Sequence, residues 1–309
     1  MKSTVRRMMP CDCGTSMNHM LYYKSMTTLP VVAPLHLDRD RPLLDLTVLG
    51  PDGTATQRFL VDTGGGGLLL TESLAHQVGI PLNRVEIIEE WGLQLEAVKI
   101  PVITLAGHAL DLDGPTFVIR EGGEQGSGNM ISGRLLSRNR VIFDFPQRRF
   151  ALDTTGPAPR GVRLPTPIHH QTKFARIEIR VEEQAHGMLL DTGAGCTMIS
   201  PRLLQRWREE HPEWDYVHGA QGTARKGRQD LDEGAVMVHV PWISIGPFCV
   251  EDVWMVARPV GGRFEEFSAR MMAGPAVGAL GGNVLKLFRV EIDYATGVTY
   301  LERGNEVGC

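Results

Sequence analysis

Three landmarks recur in the same order in the two halves of this 309-residue chain. The matched pairs are Leu60-Val-Asp62-Thr-Gly64 with Leu189-Leu-Asp191-Thr-Gly193, Leu105-Ala-Gly107 with Ser244-Ile-Gly246, and the segment from Ser132-Gly133 to Phe145 with the segment from Gly281-Gly282 to Tyr294. Their offsets are 129, 139 and 149 residues. An ordered repeat of this kind indicates two copies of one structural unit, the second with longer loops.

Strand patterns dominate both units. Glycine supplies 35 residues and aromatic side chains only 6%, which favours turns and strands over long helices. Alternating apolar segments at 42–50 and 57–61, and again at 174–181 and 188–190, each predict a hairpin. Short helices are predicted over Thr71–Val78, over Ser200–Glu210 with Ser200 as the cap, and near Leu135 and Leu285. The sequence therefore predicts an all-β protein with a few short helices.

The repeat and the composition divide the chain into five segments. We expect a flexible leader at 1–29, an N-terminal lobe at 30–153, a connector at 154–170, a C-terminal lobe at 171–303 and a tail at 304–309. The connector contains four prolines, which indicates a stiff and polar link.

Charge and hydropathy exclude several classes of partner. The formal charge of −4 comes from 32 basic and 36 acidic residues with interspersed signs, so a nucleic-acid partner is not expected. No apolar run approaches the roughly 18 residues of a membrane-spanning helix. The first thirty residues lack the apolar core of a signal peptide, which predicts a cytoplasmic protein; a misassigned start would change this to periplasmic. The five cysteines form no metal-ligand array.

The paired Asp-Thr-Gly segments are the candidate site. A lone segment of this type is commonly a turn, as we expect for Asp153-Thr-Thr-Gly156. Asp62 and Asp191 differ, because each follows an apolar strand, precedes a glycine-rich turn and occupies the same place in one copy of the repeat. A pseudo-twofold axis between the copies would bring the two carboxyl groups together.

With these residues in place, the chain resembles the pepsin-like and retropepsin-like aspartic proteases. The second unit, from Asp191-Thr-Gly-Ala to Thr197-Met-Ile199, resembles the retropepsin signature throughout. The short halves favour two tandem retropepsin-like units in one chain. The resemblance implies two pseudo-symmetric closed-β lobes, a peptide or protein substrate, a monomer, and no metal or cofactor.

The resemblance also assigns roles. Asp62 and Asp191 would be the catalytic pair of an aspartic endopeptidase, sharing one proton because two close carboxylates cannot both ionise cheaply. Thr63 and Thr192 would hydrogen-bond across the axis, and Gly64 and Gly193 would let backbone N–H groups approach the carboxylates. A β-hairpin flap would cover the substrate.

Two features leave alternatives open. The flap candidates are Trp91 and Gly92 in the first unit and Gln221–Gln229 in the second, although Trp91 could equally be core packing and the second segment a solvated loop. The run Gly64–Gly67 departs from the family pattern, which has alanine after Asp-Thr-Gly and a threonine where Leu68 stands. That departure favours a rival hypothesis, a catalytically inactive protease-like module that binds peptides or proteins.

The third residue after each aspartate predicts a pH dependence. Pepsin-like enzymes commonly have Ser or Thr there, whose hydroxyl stabilises the ionised carboxylate. Gly65 and Ala194 carry no side-chain donor, so the singly ionised pair should form at higher pH and activity should peak at about pH 5–6.

Overall fold

A computed structural model describes residues 30–82, 87–90, 93–120, 128–153, 156, 158–221, 231–258 and 264–304. Over these residues the chain forms 23 strands and five short helices. The all-β class with short helices that the sequence predicts is confirmed. No helix in the described part of the chain has the length and apolar character needed to cross a membrane.

The first half contains the whole of one ten-stranded sheet. Its elements are β1 Val31–Pro34, β2 His36–Asp38, β3 Arg41–Gly50, β4 Gly53–Asp62, β5 Leu68–Thr71, α1 Glu72–Gln77, β6 Ile87–Glu90, β7 Leu93–Ala97, β8 Val102–Leu105, β9 His108–Ala109, β10 Thr116–Ile119, β11 Met130–Ser132, α2 Gly133–Leu136, β12 Arg140–Asp144 and β13 Arg149–Asp153. Ten of these strands form a sheet in the order β6-β7-β10-β5-β11-β4-β3-β8-β9, with β2 paired to β3.

The second half repeats this plan with longer strands. Its elements are β14 Val162–Pro165, β15 Arg176–Val181, β16 Gln184–Leu190, β17 Thr197–Ile199, α3 Pro201–Glu210, β18 Tyr216–Gln221, β19 Leu231–Ile245, β20 Phe248–Ala257, α4 Phe264–Met271, β21 Gly278–Leu280, α5 Gly282–Leu285, β22 Phe288–Asp293 and β23 Val298–Arg303. The sheet runs β15-β16-β21-β17-β20-β19-β18, and a further pairing of β15 with β19 closes it into a barrel.

A third sheet joins the halves. Its order is β1-β13-β12-β22-β23-β14, and the central pair is antiparallel. Arg140 pairs with Asp293 while Asp144 pairs with Arg289, and these positions exchange under the repeat offset, so Ile142 faces its own counterpart Glu291. This self-complementary register is what a twofold axis produces. The axis therefore passes between β12 and β22.

The expected connector contains part of this sheet. Val162–Pro165 pairs with β23 as an edge strand, which tolerates Pro165 because an edge strand needs no ladder hydrogen bond from every residue. The structure also contains α4, which is not among the helices that the sequence predicts. Its cap and stop signals are weaker than those of α3, where Ser200 accepts from Leu203 N and Pro201 begins the helix.

One continuous core links the sheets. It contains Phe59 and Leu68 in the first half, Phe143 in the central sheet, and Trp207 and Leu280 in the second half, each with at most 1% of its surface exposed. Burial on this scale is the main stabilising contribution to the fold. It also holds β4 and β16 in fixed positions, and these are the strands that lead into the two Asp-Thr-Gly segments.

Candidate active site

Two parallel strand pairs place the aspartates. Asp62 ends β4 and stands beside Ser132 of β11, whereas Asp191 follows β16, and its N–H donates to Leu280 O of β21 over 3.0 Å. Each carboxyl group thus lies at the end of a strand that is hydrogen-bonded on both sides. The backbone beneath each aspartate is therefore firmly held.

The structure brings the two carboxyl groups into contact. Asp62 lies close enough to Asp191 to raise its pKa both through charge and as a hydrogen-bonding group. The glycine of each loop faces the aspartate of the other: a Cβ atom on Gly64 would stand 2.8 Å from Asp191 Cγ, and one on Gly193 would press still closer on Asp62 Cγ. Only glycine lets the two loops approach this closely.

Reciprocal threonine hydrogen bonds lock the loops together. Thr63 N donates to Thr192 Oγ1 over 3.1 Å, and Thr192 N donates to Thr63 Oγ1 over 3.0 Å. Each hydroxyl then donates across the axis to a backbone carbonyl, Thr63 to Leu190 O over 2.6 Å and Thr192 to Val61 O over 2.7 Å. Both threonines are buried, so every bond in this set is shielded from water.

The two carboxylates have different surroundings. Asp191 is 9% exposed and its Oδ1 accepts from Gly193 N over 2.9 Å and Ala194 N over 3.2 Å. Asp62 is half-buried and its Oδ1 accepts from Gly64 N over 2.9 Å, while Gly65 N donates to the Asp62 carbonyl. The pseudo-symmetric pair is therefore asymmetric in solvent contact and in hydrogen bonding.

This asymmetry determines where a shared proton resides. Burial first, and the negative charge of Asp62 second, raise the pKa of Asp191 well above its usual range. The two backbone N–H donors act in the opposite direction with a smaller effect. Asp191 is thus the carboxyl group that keeps a proton most readily.

Tyr294 reaches the site from the second half, and sequence reasoning did not include it. A Cβ on Gly133 would stand 2.5 Å from the Tyr294 hydroxyl and 3.0 Å from Thr63 Cα, so the phenol lies directly beneath the first loop. Burial, followed by the charge of Asp62, raises the Tyr294 pKa. The only available signal was its position as the last residue of the third repeated landmark.

The structure describes the two flap candidates only in part. Strands β6 and β7 pair antiparallel up to Glu90 and Leu93, but Trp91 and Gly92 lie outside the described residues. Gln221 ends β18 and residues 222–229 also lie outside. The flap assignment stays a prediction. Within the described ranges, no three His, Cys, Asp or Glu side chains are grouped as metal ligands would be.

Comparison with known proteins identifies the fold. No family model matches the chain, and no curated protein matches it. Among solved structures, the crystal structure of the aspartic proteinase from Irpex lacteus is similar, with a TM-score of 0.57 over 90% of this chain and 98% of that chain. The sequences are 12% identical, so the likeness is one of fold. The chain has the pepsin-like fold, and its description as two tandem retropepsin-like units stays a prediction.

Proposed function

We propose that this protein is an aspartic endopeptidase that hydrolyses peptide bonds of a peptide or protein substrate between its two lobes. The observation that carries the proposal is the contact of Asp62 with Asp191 across the pseudo-twofold axis, braced by the reciprocal hydrogen bonds of Thr63 and Thr192. The proposed lobes are residues 30–153 and 171–303, fused retropepsin-like units that act as a monomer without metal or cofactor.

The asymmetry of the pair suggests how the reaction is divided. Asp191 holds the shared proton, because burial and the charge of Asp62 raise its pKa, and the more exposed Asp62 acts as the base. Asp62 then takes a proton from a water molecule while the water oxygen attacks the peptide carbonyl carbon, and Asp191 protonates the carbonyl oxygen. The C–N bond of the tetrahedral intermediate then breaks: Asp62 gives the proton that it took from water to the leaving nitrogen, and a hydroxyl proton of the intermediate returns to Asp191.

Rigid support of the two carboxylates favours catalysis over passive binding. The hydrogen bonds of Thr63 and Thr192 allow little movement of either loop, and a fixed arrangement of charge lowers the barrier because it needs no reorganisation during the reaction. A module that only binds peptides would not need a pair of aspartates held in this way. The inactive-module hypothesis predicts that the protein binds peptides without hydrolysing them.

The direct test is incubation of the purified chain with a denatured protein at several pH values from about 3 to 8, with products identified by mass spectrometry. We expect internal cleavage by the wild type and its loss in both Asp62→Asn and Asp191→Asn. Asp252→Asn is the matched control, because Asp252 is exposed and its positive φ of 55° suits asparagine.

The possible results separate the two hypotheses. Cleavage by the wild type and by Asp252→Asn but by neither dyad variant supports the endopeptidase. Retained cleavage in Asp62→Asn or in Asp191→Asn would show that the catalytic residues lie elsewhere in the chain. Peptide binding by the wild type with no products at any pH would favour the inactive module.

A further inference from the structure

Two equivalent hairpins meet the opposite lobe on the two sides of the axis. In the first half, β2 and β3 pair Asp38 with Arg41 around a turn at Arg39 and Asp40. In the second half, Ile168 bridges Ala175 and His169 N donates to Phe174 O around residues 170–173. We call the contact of the first turn with α5 the first seam, and the contact of the second turn with α2 the second seam.

The first seam is closed. The carbonyl of Asp40 presses on Gly282 at the start of α5, and a Cβ on Gly195 would stand 2.5 Å from Arg39 O. Lys286, just after α5, contacts Asp40 Oδ2 over 2.8 Å. Glycines leave space for the turn, and the opposite charges of Asp40 and Lys286 pair between the turn and the residue after α5. No additional ligand is needed to connect the two lobes at this seam.

The turn of the second seam is also fixed by hydrogen bonds, but its side chains differ from those of the first turn. Thr172 Oγ1 donates to Met271 O over 2.8 Å, and Lys173 N donates to His169 O over 3.0 Å. Lys173 has a positive φ of 61°. The turn sequence His170-Gln-Thr-Lys173 contains no acidic residue. The turn therefore supplies a cation and no carboxylate, and α2 contains no acidic residue that could pair with Lys173, so a salt bridge like that of Asp40 with Lys286 is not repeated between this turn and α2.

The second seam contains a cavity of about 590 Å³. Its lining includes the basic side chains Arg134, Arg138 and Lys173, the acidic side chain Asp113, and Ser137, His170 and Tyr294. That volume lies within the range of roughly 300–1,000 Å³ that small-molecule pockets occupy. The first lobe contributes α2 and the residues after it, and the second lobe contributes the turn and Tyr294.

Among the described residues, the cavity has an excess of positive charge. Asp113, the acidic residue of its lining, contacts Arg138 over 3.1 Å, and Arg138 also contacts Asp111 over 2.7 Å, so these three residues pair with one another. Arg134 and Lys173 are half-buried, and neither has an ion-pair partner among the residues that the structure describes. Two such cations, partly removed from water, attract an anion more strongly than two exposed ones would.

We propose that this cavity binds a small polyanion that carries phosphate or carboxylate groups. Arg134 would hold one anionic group through its planar fork of donors, and Lys173 would contact a second. His170 and Ser137 supply further hydrogen-bonding atoms at the wall. The bound anion would connect α2 to the turn, which is the connection that Asp40 and Lys286 make at the first seam.

The test is titration calorimetry of the full chain with inorganic pyrophosphate and, separately, with citrate at constant ionic strength. We expect one saturable site, with the tighter ligand identifying phosphate or carboxylate as the preferred group. The double variant Arg134→Gln/Lys173→Gln should weaken binding by at least about tenfold. The control Arg202→Gln/Arg206→Gln removes the same charge from the exposed face of α3 and should change affinity by less than about twofold.

Two results would overturn the proposal. One is the absence of saturable binding of either anion up to about 10 mM. The other is equal weakening in the two double variants, which would show non-specific charge attraction only. If the Arg134→Gln/Lys173→Gln protein does not fold, the single variant Lys173→Gln tests the proposal. The tighter-binding anion raises the thermal midpoint of the wild type, and this rise should be smaller in Lys173→Gln. An undiminished rise would also overturn it.

Discussion

The two Asp-Thr-Gly loops hold equivalent carboxylates by different means. After Asp191, side chains brace the loop: Asn283 Oδ1 accepts from Thr197 N over 2.8 Å and from Thr197 Oγ1 over 2.9 Å, and Asn283 Nδ2 donates to Trp254 O over 2.9 Å. After Asp62, the positions of Thr197 and Asn283 are taken by Leu68 and Arg134, which cannot reproduce these bonds.

Close backbone packing replaces those bonds in the first loop. Leu68 N donates to Pro115 O over 2.9 Å, and a Cβ on Gly67 would stand 2.5 Å from the same carbonyl. Gly64 faces Asp191 in the same way, while Gly66 is exposed with nothing near its missing Cβ. Gly64 and Gly67 are therefore required for steric reasons. The two carboxylates occupy equivalent positions although different contacts hold their loops.

The largest expected effect tests the glycines of the first loop. Gly64→Ala should reduce peptidase activity by at least about 100-fold, because its Cβ would displace the Asp191 carboxyl and a shift of about 1 Å costs on that order. Gly66→Ala is the matched control and should keep activity while raising the free energy of unfolding by about 0.4–1 kcal/mol. Initial rates and urea unfolding measure both. Equal activity in the two variants would contradict the steric account.

The second prediction concerns the side-chain brace of the second loop. Asn283→Ala removes the acceptor of the buried Thr197 N and one of the two donors to Trp254 O, so the free energy of unfolding should fall by about 1–3 kcal/mol, the usual cost of an unsatisfied buried group. Arg134→Ala, at the matching position of the first half, should change it by less than about 1 kcal/mol. Similar losses in the two variants, measured by urea unfolding, would mean that the loops are braced alike.

The third prediction uses the raised pKa of Asp191. Its folded-state pKa lies above the unfolded value, so the folded protein binds this proton more tightly, and that contribution to stability is lost as pH rises through the folded pKa. Asp191→Asn removes the buried charge and should therefore stabilise the protein at pH 7 by about 1 kcal/mol or more. At about pH 3 the gain should vanish. A gain that does not depend on pH in urea unfolding would refute this.

The smallest effect concerns the alkaline limit of activity. Ala194 offers Asp191 a backbone N–H over 3.2 Å but no hydroxyl. We expect a bell-shaped profile with its maximum at about pH 5–6. A hydroxyl at position 194 would stabilise ionised Asp191, which must keep its proton for activity, so Ala194→Ser should move the alkaline limb downward by about one pH unit or less. Matched pH–rate profiles provide the measurement. An optimum near about pH 2 in the wild type, or an unmoved alkaline limb in the variant, would disprove this electrostatic explanation.

Much of the fold could be inferred from local patterns. The repeat of Asp62 at Asp191 indicates two related units, the alternating segments predict the hairpins of β3 with β4 and β15 with β16, and Ser200-Pro201 marks the start of α3. These features are encoded by neighbouring residues, through side-chain alternation and helix capping, so they can be recognised without tertiary contacts.

The sequence alone therefore determined the duplicated β architecture and the matched aspartates. Only the tertiary structure decided how the two copies differ: that Asp191 is the more buried carboxyl, that Tyr294 lies beneath Thr63, and that one seam is closed by Asp40 while the other is left cationic. The pairs Asp62 with Asp191, Thr63 with Tyr294 and Asp40 with Lys286 each join groups more than a hundred residues apart in the chain. Their burial and charge environment come from packing across the axis, which no local pattern records.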